Sequence, residues 1–415
     1  MGNVDRYLSD TKSALQQLVT ARLLLAMLLS GLLYGACANA DHLGVQEQAQ
    51  LRNQAKRIHD RLAGVPPDAA TLDAMVSDLH DGDPQAAAMT AMDNPNFYNV
   101  TLKNWATPWT NRDQTVFAPL NDYSATVIGM VRDGKAFNTL LSTNVVYHAN
   151  SARNEAGQTA PDYSRNNNNH YEWLEDNGID LSTALTEGSQ TTLLGIPDKA
   201  TAGVMTTRAA AAAFFVAGTN RAMFRFTLLN HMCSDLEQVK DTTRSPDRVR
   251  QDVSRSPGGD SRIYLNNCVG CHAGMDPMAQ AFAYYQFNEE SGAMEYTDNV
   301  VQAKYFNNAE TFSPGFITPD DSWDNYWREG QNSLLGWDTS RSASGRGAKT
   351  MGQELANSDA FASCQVTKAF KAVCLRDPID SNDRNEIKRI TAAFKSGGHQ
   401  MKPVFAEAAL YCKGN

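Results

Sequence analysis

The chain has 415 residues, of which 42% are apolar and 20% are charged, the proportions of a folded protein with a substantial core. Its formal net charge of −9 argues against a nucleic-acid-binding protein, because such proteins present strongly basic surfaces. We therefore expect no nucleic-acid partner, and we expect any charged protein partner to meet a local patch of this acidic surface.

The first 40 residues have the pattern of an export signal. Basic residues precede the apolar run Leu23–Ala36, and a stretch of small residues leads to Ala40. This run is too short for a membrane span, which needs about 20 residues. Gly35-Ala36-Cys37 also resembles the end of a lipoprotein signal, so cleavage before Asp41, a lipid on Cys37 and an uncleaved membrane anchor all stay open. Each alternative predicts an exported bacterial protein, located in the periplasm or associated with the outer membrane or cell surface.

Apolar spacing predicts a helical region over residues 41–200. We expect helices over 42–63, 68–79 and 84–92, a turn-rich aromatic segment over 96–123, a helix over 124–147 broken near Asp133-Gly134, and short helices over 171–194. The strongest helical pattern covers 205–232, with a break near Gly218. A charged loop over 240–260 follows, and it contains Arg248, Arg250 and Arg255.

The sequence Cys268-Val269-Gly270-Cys271-His272 is the attachment signature of a c-type haem. Two thiols at this spacing can each add to a vinyl group of one porphyrin, and the adjacent histidine then ligates the iron. A structural zinc site would need a second pair of ligands at similar spacing, and the chain has no second C-x-x-C. A thioredoxin-like redox pair would need a strand–helix setting that this region lacks. The motif therefore predicts one covalent haem c on Cys268, Cys271 and His272.

Beyond this motif the chain is expected to be loop-rich over 291–344 and helical over 351–372, 383–395 and 402–411. The predicted fold class is mainly α: a multi-helix body with loop-rich connections and a C-terminal helical c-type haem domain. We place the domain boundaries at 1–40 for the signal, 41–200 for the N-terminal helical region and 201–415 for the haem domain.

Four cysteines remain outside the signal and the haem motif: Cys233, Cys364, Cys374 and Cys412. An even remainder in an exported chain predicts two disulfides, for which three connectivities exist. We favour Cys233 with Cys364 and Cys374 with Cys412. This choice joins the segment before the haem motif to the C-terminal module and places the last two helices side by side.

Three features resemble the planctomycete-type cytochrome c domains of uncharacterised function: the run Ala217–Arg221, Cys233, and a C-x-x-C-H followed by Met275-Asp276-Pro277. The stretch Glu354–Cys364 is similar to the C-terminal module of that family, so the resemblance covers about residues 200–415. The chain departs from the family pattern at Ala279–Phe282 and lacks the proline-rich run before the haem. The resemblance implies an exported haem protein and implies no particular reaction.

The groups around the haem are less strongly indicated. The arginines Arg248, Arg250 and Arg255 are candidates to pair with the haem propionates, although a solvated charged loop is an equal alternative. Met351 and Met401 are candidate second axial ligands, with His399 as a further option, and either methionine also fits a role in helix packing. Met275 lies too close to His272 in sequence to reach the other haem face.

The orientation of His272 has two candidate determinants. A haem-ligating histidine donates its second ring N–H to an acceptor. The Asp276 carboxylate is one such acceptor, but Asp–Pro is also a frequent helix start. We therefore expect Asp276 to cap a helix that begins at Pro277, and a backbone carbonyl to orient His272.

Two classes of function follow from this sequence. The first is an exported monohaem c-type cytochrome that passes single electrons to a redox partner protein outside the cytoplasm. The second is a haem-dependent oxidoreductase or peroxidase-like enzyme whose substrate pocket is formed by the N-terminal region. A lesser alternative gives the haem a structural or sensing role.

Overall fold

The computed structural model describes residues 44–249, 261–306 and 316–414. Helix accounts for 57% of the structure, and the strands are few and short, which confirms the mainly α prediction. The C-terminal haem domain and its boundary at residue 201 stay predictions. The export signal with Cys37, together with Arg250 and Arg255, lies outside the described residues. Within the described ranges, no helix combines the length and the apolar character needed to cross a membrane.

Three helices open the described chain: α1 over 44–63, α2 over Ala69–His80 and α3 over Pro84–Met92. The carboxylate of Asp68 accepts a hydrogen bond from the Thr71 amide, and the Asp83 carboxylate accepts one from the Ala86 amide. These N-caps satisfy backbone donors that have no partner within the helix. The three predicted helices are confirmed to within about one residue where they are described, and residues 42 and 43 of the first lie outside the described residues.

The aromatic segment that follows forms a π-helix over Phe97–Leu102, a short helix over Lys103–Ala106 and a 3₁₀ turn over Thr107–Thr110. Helix α4 then spans Asp122–Arg132. The helix expected over 124–147 is wrong beyond Arg132, because a 3₁₀ turn over Phe137–Thr139 and strand β1 over Val145–His148 replace it. Strand β1 is rich in β-branched and aromatic residues, which suit a pleated strand better than a helix.

The predicted short helices are confirmed as α5 over Asn169–Asp176 and single turns over Leu181–Ala184 and Gln190–Leu193. Between these turns lies β2, Thr186–Ser189, which pairs antiparallel with β1. This strand is not evident from the sequence. The pairing explains why 145–148 is extended, since each strand supplies hydrogen-bonding partners to the other.

The next helices carry the region of interest: α6 over Arg208–Phe214, α7 over Arg221–His231 and α8 over Val269–Ala279. A short helix over Ser261–Ile263 and a π-helix over Tyr264–Cys268 lead into α8. After α8 come a 3₁₀ turn over Gln280–Phe282 and the antiparallel hairpin of β3, Tyr285–Asn288, with β4, Ala293–Tyr296. Helix α8 packs against α7.

The C-terminal part contains β5, Ser322–Asp324, paired antiparallel with β6, Ser344–Arg346. Between them lie 3₁₀ turns over Tyr326–Arg328 and Gly330–Leu335, and a further such turn, over Ala303–Tyr305, precedes β5. The last helices are α9 over Gly347–Ala356, α10 over Asp359–Cys374, α11 over Ser381–Ser396 and α12 over Met401–Cys412. The single segment expected over 351–372 is therefore two helices, because the Ser358 hydroxyl caps a new helix by accepting from the Phe361 amide.

The main hydrophobic core runs through both halves of the chain. It contains α1 residues such as Ile58, aromatic residues such as Phe97 and Trp327, and C-terminal residues as far as Ala409. Helix α12 packs against α10, α11 and α3, which joins the end of the chain to its beginning.

The structure pairs Cys233 with Cys364 and Cys374 with Cys412. Both predicted disulfides are confirmed. The first links the segment just after α7 to α10, and the second links α10 to α12, so α10 is held at two points.

Candidate functional site

The C-x-x-C-H residues lie where the π-helix passes into α8. Cys268 is the last residue of the π-helix, and Cys271 and His272 are in the first turn of α8. Both thiols are free, whereas the other four described cysteines form disulfides. Residues three and four apart share one face of a helix, so Cys268, Cys271 and His272 are neighbours on that face.

One side of this motif is closed by the segment 236–242. The Cys271 thiol donates to the Leu236 carbonyl at 3.5 Å, and the Asp241 amide donates to the Gly270 carbonyl at 2.9 Å. A Cβ on Gly270 would lie 2.9 Å from the Lys240 side chain, so only glycine fits without displacement. Burial, and then the nearby Glu237 carboxylate, raise the pKa of Cys271. This side of the motif is tightly packed.

The other side is apolar. Val249 and Tyr264 are buried in a small cluster, separate from the main core, which also contacts Cys268 and Val269. Close by in sequence, Ile263 and Leu265 expose 40% and 57% of their surface. An apolar surface next to the free Cys268 thiol suits the face of a porphyrin ring.

Two buried polar atoms near this cluster have no hydrogen-bond partner among the described residues: Tyr264 Oη and Arg248 Nη1. The Tyr264 and His272 ring centroids are 6.4 Å apart, and Arg248 precedes Val249 of the cluster. The other terminal nitrogen of Arg248, Nη2, pairs with Asp324. Burial raises the pKa of Tyr264, so its hydroxyl keeps its hydrogen. Unpartnered buried donors are costly, and two of them here suit a carboxylate-bearing ligand.

The imidazole of His272 is held by the side chain one turn further along α8. His272 Nδ1 lies 3.1 Å from Asp276 Oδ1, and the Asp276 side chain is fully buried. Arg221 Nε lies 2.9 Å from the same oxygen. A carboxylate paired with arginine is ionised and can only accept, so Nδ1 donates and Nε2 retains the lone pair that a metal ion needs.

The expected capping role of Asp276 is therefore wrong. Helix α8 does not begin at Pro277 but runs through it from Val269 to Ala279. The expected backbone acceptor for His272 is also wrong, because the acceptor is the Asp276 carboxylate. Proline inside a helix costs about 3 kcal/mol, mainly through the lost bond to the carbonyl four residues earlier. The packing of α8 against α7 offsets this cost, and the continuous helix brings the buried Asp276 carboxylate to Arg221.

Helix α8 is also fixed by a close contact with Trp327. A Cβ on Gly274 would lie 1.9 Å from Trp327 Nε1, so the indole rests directly on the helix backbone. Trp327 is fully buried and also packs on Phe224 of α7, with ring centroids 5.9 Å apart. The histidine-bearing helix is thus held between α7 and the turn that carries Trp327.

The candidate second axial ligands lie in the main core. Met351 on α9 is fully buried, and Met401 at the start of α12 is 1% exposed. Within the described ranges, neither α9 nor α12 is among the elements that pack extensively against α8. The ring of His399 instead packs edge-on against Phe394, with centroids 5.1 Å apart. Both methionines fit a packing role, and their ligation stays a prediction.

Sequence reasoning assigns no role in this site to three of its residues: Arg221, which it names only within the run Ala217–Arg221, Tyr264 and Trp327. The four-residue spacing of His272 and Asp276 is the available signal for a helical pair, but Pro277 argues against a helix across it. The contacts of Arg221 and Trp327 join positions about 50 residues apart, which no local pattern reveals.

Comparisons with protein-family models, with characterised proteins and with solved structures find no match. Among the described residues, no group of three or more His, Cys, Asp and Glu side chains is placed to hold a metal ion. Function is consequently inferred from the C-x-x-C-H segment and its neighbours.

Proposed function

We propose that this chain is an exported monohaem c-type cytochrome that transfers single electrons outside the cytoplasm. The observation that carries the proposal is the hydrogen bond between His272, the histidine of the C-x-x-C-H sequence, and the Asp276 carboxylate. The Nδ1 of His272 is bound by this buried carboxylate, and its Nε2 is the nitrogen left to bind iron.

Each residue of the site has a role in this proposal. The thiols of Cys268 and Cys271 would hold the porphyrin through two thioether bonds, and His272 Nε2 would ligate the iron. Arg248 Nη1 and Tyr264 Oη would donate to the propionate carboxylates, which would satisfy two buried donors. When bound, the haem supplies a one-electron iron couple.

Three further features support an exported cytochrome. The two disulfides are typical of proteins folded in an oxidising compartment, the compartment in which haem c is attached. The first 40 residues have the composition of an export signal. The resemblance of residues 200–415 to planctomycete-type cytochrome c domains agrees with both. We propose a periplasmic or outer-membrane-associated location and a redox partner protein, with membrane attachment through a lipid on Cys37 or an uncleaved signal as an alternative.

A haem-dependent oxidoreductase or peroxidase-like enzyme is the second candidate, and one observation favours it. The carboxylate of Asp276 makes the His272 imidazole a stronger electron donor than a backbone carbonyl would. A stronger donor favours the oxidised iron, which suits oxidative catalysis as well as low-potential electron transfer.

The proposal is tested by staining for haem after denaturing electrophoresis of the protein, produced with its export signal in a bacterium that attaches haem c. The stain should follow the wild-type chain and disappear in the double variant Cys268→Ala, Cys271→Ala. The matched control is Cys374→Ala, Cys412→Ala, which also removes two cysteines and should keep the stain. Covalent haem that persists without Cys268 and Cys271 contradicts the proposal.

Visible spectra separate the two candidate functions. A six-coordinate spectrum that cyanide does not change favours electron transfer, because both axial positions are then occupied by the protein. A high-spin spectrum that shifts with cyanide favours catalysis, because an open position admits small molecules.

A further inference from the structure

We propose that Arg221 is a positioning residue that sets the reduction potential of the iron through Asp276 and His272. This inference rests on the proposed haem function and deepens it. It assigns a role to the run Ala217–Arg221, which connects α6 to α7 at a distance of about 50 residues from the haem motif.

The geometry places two donors on one oxygen atom. Asp276 Oδ1 is 2.9 Å from Arg221 Nε and 3.1 Å from His272 Nδ1. The Asp276 side chain is fully buried, whereas the Arg221 side chain is 21% exposed. Water therefore does not compete for the carboxylate, and the low local dielectric strengthens both interactions.

The backbone that presents Arg221 is fixed by its neighbour Asn220. The side-chain amide nitrogen of Asn220, Nδ2, donates to the backbone carbonyls of Phe282 and Tyr285, each at 2.8 Å. Its amide oxygen accepts from Lys304 Nζ at 2.6 Å. Asn220 is fully buried and adopts the left-handed conformation at φ 59°, which asparagine tolerates better than most residues. These bonds anchor the first residue of α7 to the segment that follows α8.

Because Arg221 and His272 share Asp276 Oδ1, the direction in which each variant should shift the reduction potential can be predicted. The carboxylate draws on the His272 N–H and makes the imidazole a stronger donor to iron, which stabilises the ferric state. Arg221 withdraws electron density from that same oxygen and weakens this effect. Loss of Arg221 should therefore lower the potential, and loss of the Asp276 charge should raise it. A residue that only supports the fold would not give shifts of opposite sign.

The test is a set of reduction potentials for the haem-loaded wild type, Arg221→Gln, Asp276→Asn and the double variant. At a fixed ambient potential, Arg221→Gln should lower the ratio of ferrous to ferric protein about tenfold, which is about 59 mV for one electron. Asp276→Asn should raise this ratio. In the Asp276→Asn background, Arg221→Gln should shift the reduction potential by less than half as much as it does in the wild type. The route through the carboxylate is then absent, and only the direct electrostatic effect of the arginine on the iron remains.

Arg225→Gln is the matched control. Arg225 lies one turn further along α7 and pairs with Asp235 at 2.6 Å, so its loss removes the same charge from the same helix without touching Asp276. The ratio should change less than twofold. If Arg221→Gln fails to fold, Arg221→Lys replaces it in the same set, with a shift in the same direction, because lysine cannot reproduce the planar Nε contact.

The outcomes separate this inference from the proposed function. The inference is overturned if Arg221→Gln changes the reduction potential equally in the wild type and in the Asp276→Asn variant. It is also overturned if the two single variants shift the potential in the same direction. In both cases covalent haem is retained, so the proposed function stands. Purified wild-type protein without covalent haem overturns the proposed function itself.

Discussion

The indole of Trp327 lies directly against Gly274 of α8, the helix that carries His272. No side chain larger than hydrogen fits at residue 274, because a Cβ there would lie 1.9 Å from Trp327 Nε1. Trp327 itself is fully buried, so any adjustment of its ring displaces packed neighbours. This contact fixes how closely α8 approaches the turn over Tyr326–Arg328.

We predict that Gly274→Ala lowers the free energy of unfolding by about 1 kcal/mol. Overpacking costs about 1–3 kcal/mol, and the gain of about 1 kcal/mol from alanine in a helix offsets only part of this. Denaturant unfolding followed by tryptophan fluorescence measures the difference. Gly44→Ala is the control, since Gly44 is helical and, among the described residues outside its own stretch of helix, no atom lies within 4 Å of the added Cβ. Equal stability of the two variants would show that Trp327 adjusts without cost.

The disulfides give a second prediction, on stability. The chain-entropy model gives losses of about 5 kcal/mol for removal of Cys233–Cys364 and about 4 kcal/mol for Cys374–Cys412, because the first closes the longer loop of 131 residues against 38. Paired Cys→Ala variants and denaturant unfolding test this order. Alkylation of all four thiols in the native protein without a reductant, detected by mass spectrometry, would show that the bonds do not form.

Local sequence patterns predict the helices of this chain well where capping residues mark their ends. Asp68, Asp83 and Asn121 each accept from backbone amides at the starts of α2, α3 and α4. The paired strands escape prediction, because β1 and β2 are four residues long and each is stabilised by a partner about 40 residues away. Periodicity over four residues cannot separate a strand from a helical turn.

The candidate site likewise contains some residues that a local sequence pattern predicts and others that only tertiary packing brings together. Cys268, Cys271 and His272 are local in sequence, so their motif is visible without a structure. The error at Asp276 arises because Asp–Pro is a common helix start, whereas tertiary packing by α7 and Trp327 carries α8 through the proline. The Arg221–Asp276 pair depends on that packing and has no local signature.

A third prediction concerns pH and the buried pair of Tyr123 and His231. Tyr123 Oη lies 2.6 Å from His231 Nε2, both residues are buried, and burial holds the pKa of His231 well below its usual value. Lys368 Nζ lies 4.3 Å from the centroid of the Trp109 ring, which packs against His231, and the lysine also lowers the pKa of His231. Burial lowers the pKa of Lys368 itself to about 7, and this lysine is present in both proteins compared below. The native protein therefore keeps His231 neutral when the unfolded chain takes up a proton.

The sign of the effect follows from proton linkage. Below about pH 6.5 the unfolded state binds the proton that the native state excludes, so stability falls as pH falls. This one group should cost about 1.4 kcal/mol between pH 7.5 and pH 5.5. His231→Gln keeps a hydrogen-bonding partner for Tyr123 but does not titrate. Urea unfolding at both pH values should show a smaller loss in the variant by about that amount, and parallel curves for the two proteins contradict the prediction.

The last prediction concerns Arg248, which pairs with Asp324 through Nη2 and has a buried Nη1 without a hydrogen-bond partner in the described part of the chain. If Nη1 donates to a propionate, Arg248→Gln removes a positive charge beside that carboxylate. The ferric state is then favoured, and the potential should fall by roughly 30 mV, a threefold change in the ratio of ferrous to ferric protein.

Asp324→Asn is the matched control for this variant, because it breaks the same ion pair but keeps the arginine. Both side chains are partly exposed, so the two variants should lose similar and small amounts of stability. Only the potential distinguishes them: it should fall in Arg248→Gln and stay constant or rise in Asp324→Asn. Equal potentials in the two variants would mean that Arg248 serves the Asp324 pair alone. Of the two unpartnered buried donors described near the motif, Tyr264 would then remain for the propionates.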